Sequence, residues 1–121
     1  MKIESGNEYT CALVVHMGLL GKRDVEAVID VDTPTSFHGY GRLTGKPFSF
    51  AGLKVDDTMC MYFNDGVIDG NQFSFTVSGG GITATFKVVV ANDGSITGTA
   101  NAGGVLNIKL TGTVTKVAPL A

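Results

Sequence analysis

Residues 82–115 have the sequence ITATFKVVVANDGSITGTANAGGVLNIKLTGTVT, and this stretch decides the fold. Apolar and polar residues alternate along three runs, and an alternation with a period of two is the pattern of a half-buried β-strand. The runs are separated by Asn92-Asp93-Gly94 and Gly103-Gly104, connections that suit tight hairpin turns. The stretch therefore predicts consecutive antiparallel strands.

The same alternation predicts further strands upstream. Asp69-Gly70-Asn71 predicts a hairpin with a type I′ turn, since Asp-Gly supplies the positive φ which that turn requires. It opens the run Gln72 to Ser78, and Gly79-Gly80-Gly81 predicts the next turn. Earlier runs cover Tyr9 to Met17, Val25 to Asp32, Ser36 to Thr44, Pro47 to Ala51 and Thr58 to Asn64.

The connections are too brief for crossover helices, so the sheet is predicted to be antiparallel. About eight or nine strands in one small domain either close or split into two layers. The sequence predicts an all-β fold in which an antiparallel up-and-down meander of short strands closes into a barrel. A β-sandwich is the alternative.

An apolar-Thr-Gly phrase occurs at Leu43-Thr44-Gly45, Ile96-Thr97-Gly98 and Leu110-Thr111-Gly112. The alternation puts the last two threonines on an outward, wetted face. It puts Gly98 and Gly112 on the inward face, where a bending strand needs space. Gly45 is expected in a turn, so the three copies share a sequence pattern but are expected to have different structural roles.

Composition limits the classes of protein to which the chain can belong. It has 121 residues, 44% of them hydrophobic and 17% charged, which predicts one globular domain over residues 1–121. The nine Lys and Arg residues are scattered and the formal net charge is −2, so no nucleic-acid partner is expected. The chain lacks the run of about 20 apolar residues that spans a bilayer, so no membrane partner is expected either.

The N-terminus and the cysteines bear on the cellular compartment. Met1-Lys2-Ile3-Glu4 is polar at once, unlike a secretory signal, so the chain is expected to be cytoplasmic. Cys11 and Cys60 are far apart and lack metal-ligand spacing. In a reducing compartment they are expected to be small core hydrophobes and not a disulfide.

The second half of the chain carries a family resemblance. The passages that carry it are Asp65-Gly66-Val67-Ile68-Asp69-Gly70-Asn71-Gln72-Phe73-Ser74-Phe75, Ile82 to Val90, Ile96-Thr97-Gly98-Thr99 and Leu110-Thr111-Gly112-Thr113. Over residues 65–116 the chain resembles small bacterial calycin-like (lipocalin-like) β-barrel domains, which occur alone or appended to larger enzymes. The resemblance implies a calycin-like barrel, and its glycines, threonines and aromatics imply no catalytic residue. The chain departs from that pattern at its start, which has no tryptophan and an unusual connection from His16 to Arg23.

Apolar and polar residues are both candidates for a binding site. Thioethers and aromatic rings suit an adaptable apolar pocket, which makes Phe48, Phe50, Met59, Met61, Phe63 and Phe86 candidate ligand-binding residues. His38, Tyr40 and Arg42 share one face of a predicted strand and are candidate polar anchors if that face is inside. The residues between them favour the opposite face as the inner one, which would make the trio a solvated surface.

The sequence shows no catalytic phrase, metal-ligand pattern or cofactor motif. His16 and His38 would need a third ligand to bind a metal, and no serine stands in a nucleophile elbow. The leading hypothesis is a non-enzymatic barrel that binds a small, mostly apolar molecule. One alternative is an interaction module that forms a homodimer or docks a partner enzyme. Another is a small isomerase or hydrolase that uses a pocket histidine as its general base.

Overall fold

A closed barrel of eight antiparallel strands dominates the computed structural model, which describes residues 1–50, 52–79 and 81–120. The strands of the described chain are β1 (Asn7–His16), β2 (Lys22–Thr33), β3 (Ser36–Leu43), β4 (Phe48–Phe50), β5 (Leu53–Val55), β6 (Met61–Asp69), β7 (Gln72–Gly79), β8 (Ile82–Val90), β9 (Ser95–Ala102) and β10 (Leu106–Pro119). A short 3-10 turn, Gly18–Leu20, connects β1 to β2.

The barrel has the order β1-β10-β9-β8-β7-β6-β3-β2. Neighbours in the barrel are neighbours in sequence except where β10 pairs with β1 and where β6 pairs with β3. The predicted all-β, up-and-down barrel is therefore confirmed, and the sandwich alternative is wrong. The architecture is consistent with a calycin-like barrel.

The β4–β5 hairpin differs from the prediction. Phe48–Phe50 is a strand, but it pairs with Leu53–Val55 in a separate two-stranded sheet and takes no part in the barrel. Two predicted features extend past the described residues: Ala51 at the end of the fourth predicted strand, and Gly80 in the triglycine turn. The sequence did not predict β5, because three residues are too few to show an alternation.

The turn between β6 and β7 also differs in detail. Ile68 pairs with Phe73 and Asp69 with Gln72, so Gly70 and Asn71 are the two central residues of a tight hairpin. Gly70 has a φ of 62°, and Asn71 is not among the residues with positive φ. Positive φ at the first central position alone is the pattern of a type II′ turn. The hairpin was predicted correctly and its turn type was not, because Gly70 comes one position earlier in the loop than a type I′ turn places it.

Gly98 and Gly112 have the role predicted for them. A Cβ added at Gly98 would lie 2.7 Å from the carbonyl oxygen of Lys87, and one at Gly112 would lie 2.3 Å from that of Ala12. Each glycine thus lets its strand approach the neighbouring strand closely as the sheet curves. Nothing lies within 4 Å of a Cβ at Gly45, which follows the end of β3.

The interior divides into two halves along the barrel axis. In the filled half, where β1 and β3 begin and β2 ends, large inward side chains pack to a dense core that includes Tyr9, Phe37, Ile68, Phe73 and Ile96, all at most 5% exposed. Phe37 contacts Phe73 with 5.3 Å between ring centroids. Only a residual void of about 30 Å³ remains among the described side chains there. The other half, called the cavity half, is packed differently.

Candidate functional site

The cavity half contains a cavity of about 380 Å³. It lies where β1, β3, β7 and β9 end and where β2, β6, β8 and β10 begin, which is one end of an up-and-down barrel. Its walls are mainly aliphatic and aromatic, and Met59, Cys60 and Tyr62 on its edge are exposed. The cavity therefore reaches the surface beside the start of β6.

Small inward residues explain why this half is hollow. Gly41, Gly79, Ala84 and Ala102 all line the cavity, at inward positions comparable to those that Phe37 and Ile68 fill in the other half. Ala84 and Ala102 lie directly opposite each other on β8 and β9. Two neighbouring alanines leave a gap that their own side chains cannot fill. The cavity therefore results from the sequence of the barrel strands.

The β4–β5 hairpin lies against this end of the barrel. Phe48 and Phe50 are partly buried against a cluster that includes Met17 and Ile108, and Val55 is 2% exposed. Leu53 approaches Gly79, whose added Cβ would lie 3.3 Å from Leu53 Cδ1. The hairpin thus supplies apolar side chains to the cavity although it is not part of the barrel sheet.

The structure brings the apolar candidates together. Phe48, Phe50, Met59, Met61, Phe63 and Phe86 all line the cavity. They come from the hairpin, from the segment before β6, and from β6 and β8. Phe75 links two of them, because its ring stacks on Phe86 at 4.9 Å and lies 4.3 Å from Phe63.

The polar candidates lie elsewhere. In β3 the inward positions are held by Phe37, Gly41 and Leu43, which are buried, so His38, Tyr40 and Arg42 point to the outer face. None of these three lines the cavity. Tyr40 instead contacts Tyr62 across the β3–β6 pair, with 6.5 Å between ring centroids. The trio is a surface feature and is left out of the site.

His38 forms a small ionic cluster on that outer face. Its Nδ1 lies 2.7 Å from Asp32 Oδ2, and its Nε2 lies 3.2 Å from Asp30 Oδ2. The hydrogen bond to Asp32 raises the pKa of His38 above its ordinary value, with a further contribution from Asp30. Glu8 is paired with Asp30 across β1 and β2, and hydrogen bonding to Asp30 raises the pKa of its carboxyl group. The His38 side chain is 64% exposed, so the cluster opens to solvent and not to the cavity.

His16 is also outside. Its Nε2 lies 3.4 Å from Thr111 Oγ1, and it does not line the cavity. A general base must lie within hydrogen-bond reach of a bound substrate, and neither histidine of the described chain meets this condition in the cavity.

The site contains one charged residue that the sequence prediction missed. Arg23 is the only charged side chain among the described cavity-lining residues. It lies on the inward register of β2, two residues before Val25. The sequence contained a signal for Arg23, because the alternation of Val25, Ala27 and Ile29 extends backward to position 23. The predicted strand began at Val25 and left Arg23 in the preceding connection.

Backbone carbonyls and one aromatic ring hold the Arg23 guanidinium. Nη1 donates to the carbonyl oxygens of Leu20 at 2.7 Å and Lys22 at 2.9 Å, and Nη2 donates to that of Pro47 at 3.4 Å. Its Cζ lies 5.8 Å from the centroid of the Phe48 ring, within the range of a cation–π contact. Arg23 therefore connects the β1–β2 loop to the β4–β5 hairpin.

The two cysteines have opposite surroundings. Cys11 is buried in the core, and burial raises the pKa of its thiol to about 11. Cys60 is exposed on the edge of the cavity. The expectation that both are core hydrophobes is correct for Cys11 and wrong for Cys60, which precedes β6 at the open end. Neither is in a disulfide.

The described residues contain no group of three or more His, Cys, Asp or Glu side chains that could hold a metal ion. No helix in the described ranges combines the length and the hydropathy needed to cross a membrane.

Comparison with known proteins adds no relative to this picture. No family model matches the chain, and no curated protein or solved structure is significantly similar to it. The geometry of the cavity is thus the basis for any functional conclusion.

Proposed function

We propose that this protein binds one small, mostly apolar molecule in the cavity half of its barrel. The observation that carries the proposal is the cavity of about 380 Å³ with its predominantly apolar lining. Ligand pockets typically have about 300–1,000 Å³ and are lined by hydrophobic and aromatic side chains with a few polar groups. The volume lies near the lower end of that range, which indicates a small ligand.

The contrast with the filled half supports the proposal. Protein interiors are normally close-packed, and side chains beside a void lose dispersion contacts. The same barrel closes its other half to a void of about 30 Å³, so this chain is able to fill its core. A cavity that persists beside such a core is better explained by a ligand that occupies it than by poor packing.

A pair of leucine variants tests the proposal. Ala102→Leu adds a side chain inside the cavity, whereas Ala12→Leu makes the same change at an exposed position on the outer face of β1. We expect the purified protein to bind an environment-sensitive apolar fluorophore. Ala102→Leu should weaken this binding about tenfold or more, and Ala12→Leu should leave it within about twofold.

Unfolding of the same variants checks the reason for any loss. Filling a cavity commonly stabilises a protein by about 0.5–2 kcal/mol, so Ala102→Leu should lose binding while its free energy of unfolding is kept or increased. Native mass spectrometry of the wild type should show a retained small molecule or capture of the added fluorophore. Equal binding by wild type and Ala102→Leu, or no binding by either, would contradict the proposal.

A further inference from the structure

We propose that the molecule bound in the cavity carries a carboxylate, and that Arg23 at the cavity's edge binds this group. The inference rests on the proposed function and deepens it, because it specifies the chemistry of the ligand. The apolar part of the bound molecule would lie among the aromatic residues of the cavity half. The carboxylate of the same molecule would lie beside the Arg23 guanidinium.

The hydrogen bonds of Arg23 are incomplete in a way that suits a carboxylate. Its Nε is buried and has no hydrogen-bond partner, while Nη2 has only the 3.4 Å contact to Pro47. Nε–H and one Nη2–H lie side by side on one edge of a guanidinium, the edge that binds a carboxylate through two parallel hydrogen bonds. A buried donor without an acceptor costs free energy, and a bound carboxylate would remove that cost.

The charge of Arg23 is also uncompensated. The ion pairs of the described residues are those of His38 with Asp30 and Asp32, so no carboxylate within them neutralises Arg23. Every other described residue of the lining is uncharged. In an apolar cavity a single uncompensated cation attracts an anion more strongly than it would in water.

Charged residues are distributed unevenly along the barrel axis. Toward the cavity end, Lys22, Arg42, Lys46, Lys54 and Lys109 accompany Arg23, against the acidic Asp24, Glu26, Asp56 and Asp57. Toward the filled end, acidic Glu4, Glu8, Asp30, Asp32, Asp69 and Asp93 stand against Lys2 and Lys116. A chain of net charge −2 thus presents a positive end to an approaching anion, and such a field increases the association rate.

The β4–β5 hairpin would respond to the bound carboxylate. Pro47 and Phe48 both contact the guanidinium, whose Nε is buried. A carboxylate that reaches Nε must displace some of the atoms that bury it. Ligand binding should therefore move the start of β4.

A set of ten-carbon probes separates the charge from the apolar body. Binding of decanoate, decanol and decyltrimethylammonium to the wild-type protein is measured by displacement of the apolar fluorophore. Because hydrogen bonds to a charged group contribute about 1.5–3 kcal/mol, decanoate should bind about tenfold or more tightly than decanol. Decyltrimethylammonium should bind more weakly than either.

Two arginine variants assign the preference to one residue. Arg23→Gln should reduce the affinity for decanoate about tenfold and leave that for decanol within about twofold. Arg42→Gln removes the same charge from the outer face of β3 near the same end of the barrel, so it should keep the preference for decanoate. Arg23→Lys retains a point charge without the paired donors and should give an intermediate preference.

The outcomes distinguish this inference from the proposed function. If decanol binds, Ala102→Leu blocks it, and wild type shows no preference for decanoate, the cavity binds ligands but the carboxylate is wrong. If wild type prefers decanoate and Arg42→Gln abolishes this preference as fully as Arg23→Gln does, the role proposed for Arg23 is wrong. If no probe binds, both proposals fail. The comparison of decanoate with decanol uses the wild-type protein alone. It therefore tests the inference even if Arg23→Gln misfolds.

Discussion

The filled half and the cavity half of the barrel are built from the same eight strands and differ in how completely inward side chains fill the interior. In the filled half Phe37 and Phe73 meet at 5.3 Å. In the cavity half Ala84 faces Ala102, and a cavity of about 380 Å³ remains. The difference indicates that one end of each strand contributes mainly to stability and the other end leaves space for the cavity.

The largest effect should come from deleting an aromatic ring in the filled half. Phe37→Ala removes a side chain that is 4% exposed and contacts both Phe73 and Phe75, so it should lower the free energy of unfolding by about 3–5 kcal/mol. Phe50→Ala, in the hairpin at the cavity, should cost less than about 1.5 kcal/mol and should weaken ligand binding instead. Urea unfolding and fluorophore binding measure the two effects. Equal losses of stability would remove the distinction between the halves.

Cysteine reactivity should separate the halves almost as strongly. With a pKa of about 11, only about one in a thousand Cys11 thiols is ionised near pH 8, and burial blocks access as well. Cys60 is exposed at the cavity edge, so a maleimide should modify it more than about a thousandfold faster than Cys11. Mass spectrometry of digests from a time course gives both rates. Comparable rates in the folded protein would show that the filled half opens readily.

A bound ligand should affect the cysteines selectively. Decanoate should change the modification rate of Cys60, because Cys60 lies on the edge of the proposed cavity. The slow rate of Cys11 should change only as far as the bound ligand changes the global stability. The variant Cys60→Ser isolates Cys11 for this measurement.

The apolar-Thr-Gly phrases give a third comparison with an intermediate effect. Gly112→Ala would place a Cβ 2.3 Å from the Ala12 carbonyl oxygen and 2.7 Å from Leu13 Cδ2, so β1 and β10 must separate. We expect a loss of about 1–3 kcal/mol or more in the free energy of unfolding. Gly45→Ala meets nothing within 4 Å and should change stability by less than about 0.5 kcal/mol. Similar values for the two would mean that the barrel wall yields more easily than its contacts indicate.

These comparisons show which parts of the molecule the sequence could predict. Alternation and turn residues are local signals, and they were sufficient for the eight strands of the barrel and its up-and-down closure, but not for the β4–β5 hairpin. The six apolar candidates also line one cavity, and their role in ligand binding stays a prediction. Arg23 was missed because the predicted strand started two residues too late, and a two-residue error at a strand end is enough to move an inward residue into a loop.

The cavity itself could not be predicted from local pattern. Its volume depends on which residues of different strands lie at the same height, such as Ala84 opposite Ala102. In the β6–β7 pair this height also depends on the register shift between Asn64 and Val67, where Asp65 has a φ of 55°. A bulge adds one residue to one strand and shifts every later pairing, and its consequence for the interior is visible only in three dimensions.

The smallest effect should come from His38, on the outer face toward the filled end. Its pKa is raised by Asp32, so its contribution to stability is complete below the ordinary value of 6.5 and is lost as the pH rises through the raised pKa. The ring is largely exposed, so screening limits the contribution to less than about 1 kcal/mol. The free energy of unfolding of wild type minus that of His38→Gln should therefore fall as the pH rises from below 6.5 through the raised pKa. Asp32→Asn should abolish most of this fall. A difference that rises with pH would mean that His38 is held neutral, and the carboxylates would then have to be oriented away from it in solution.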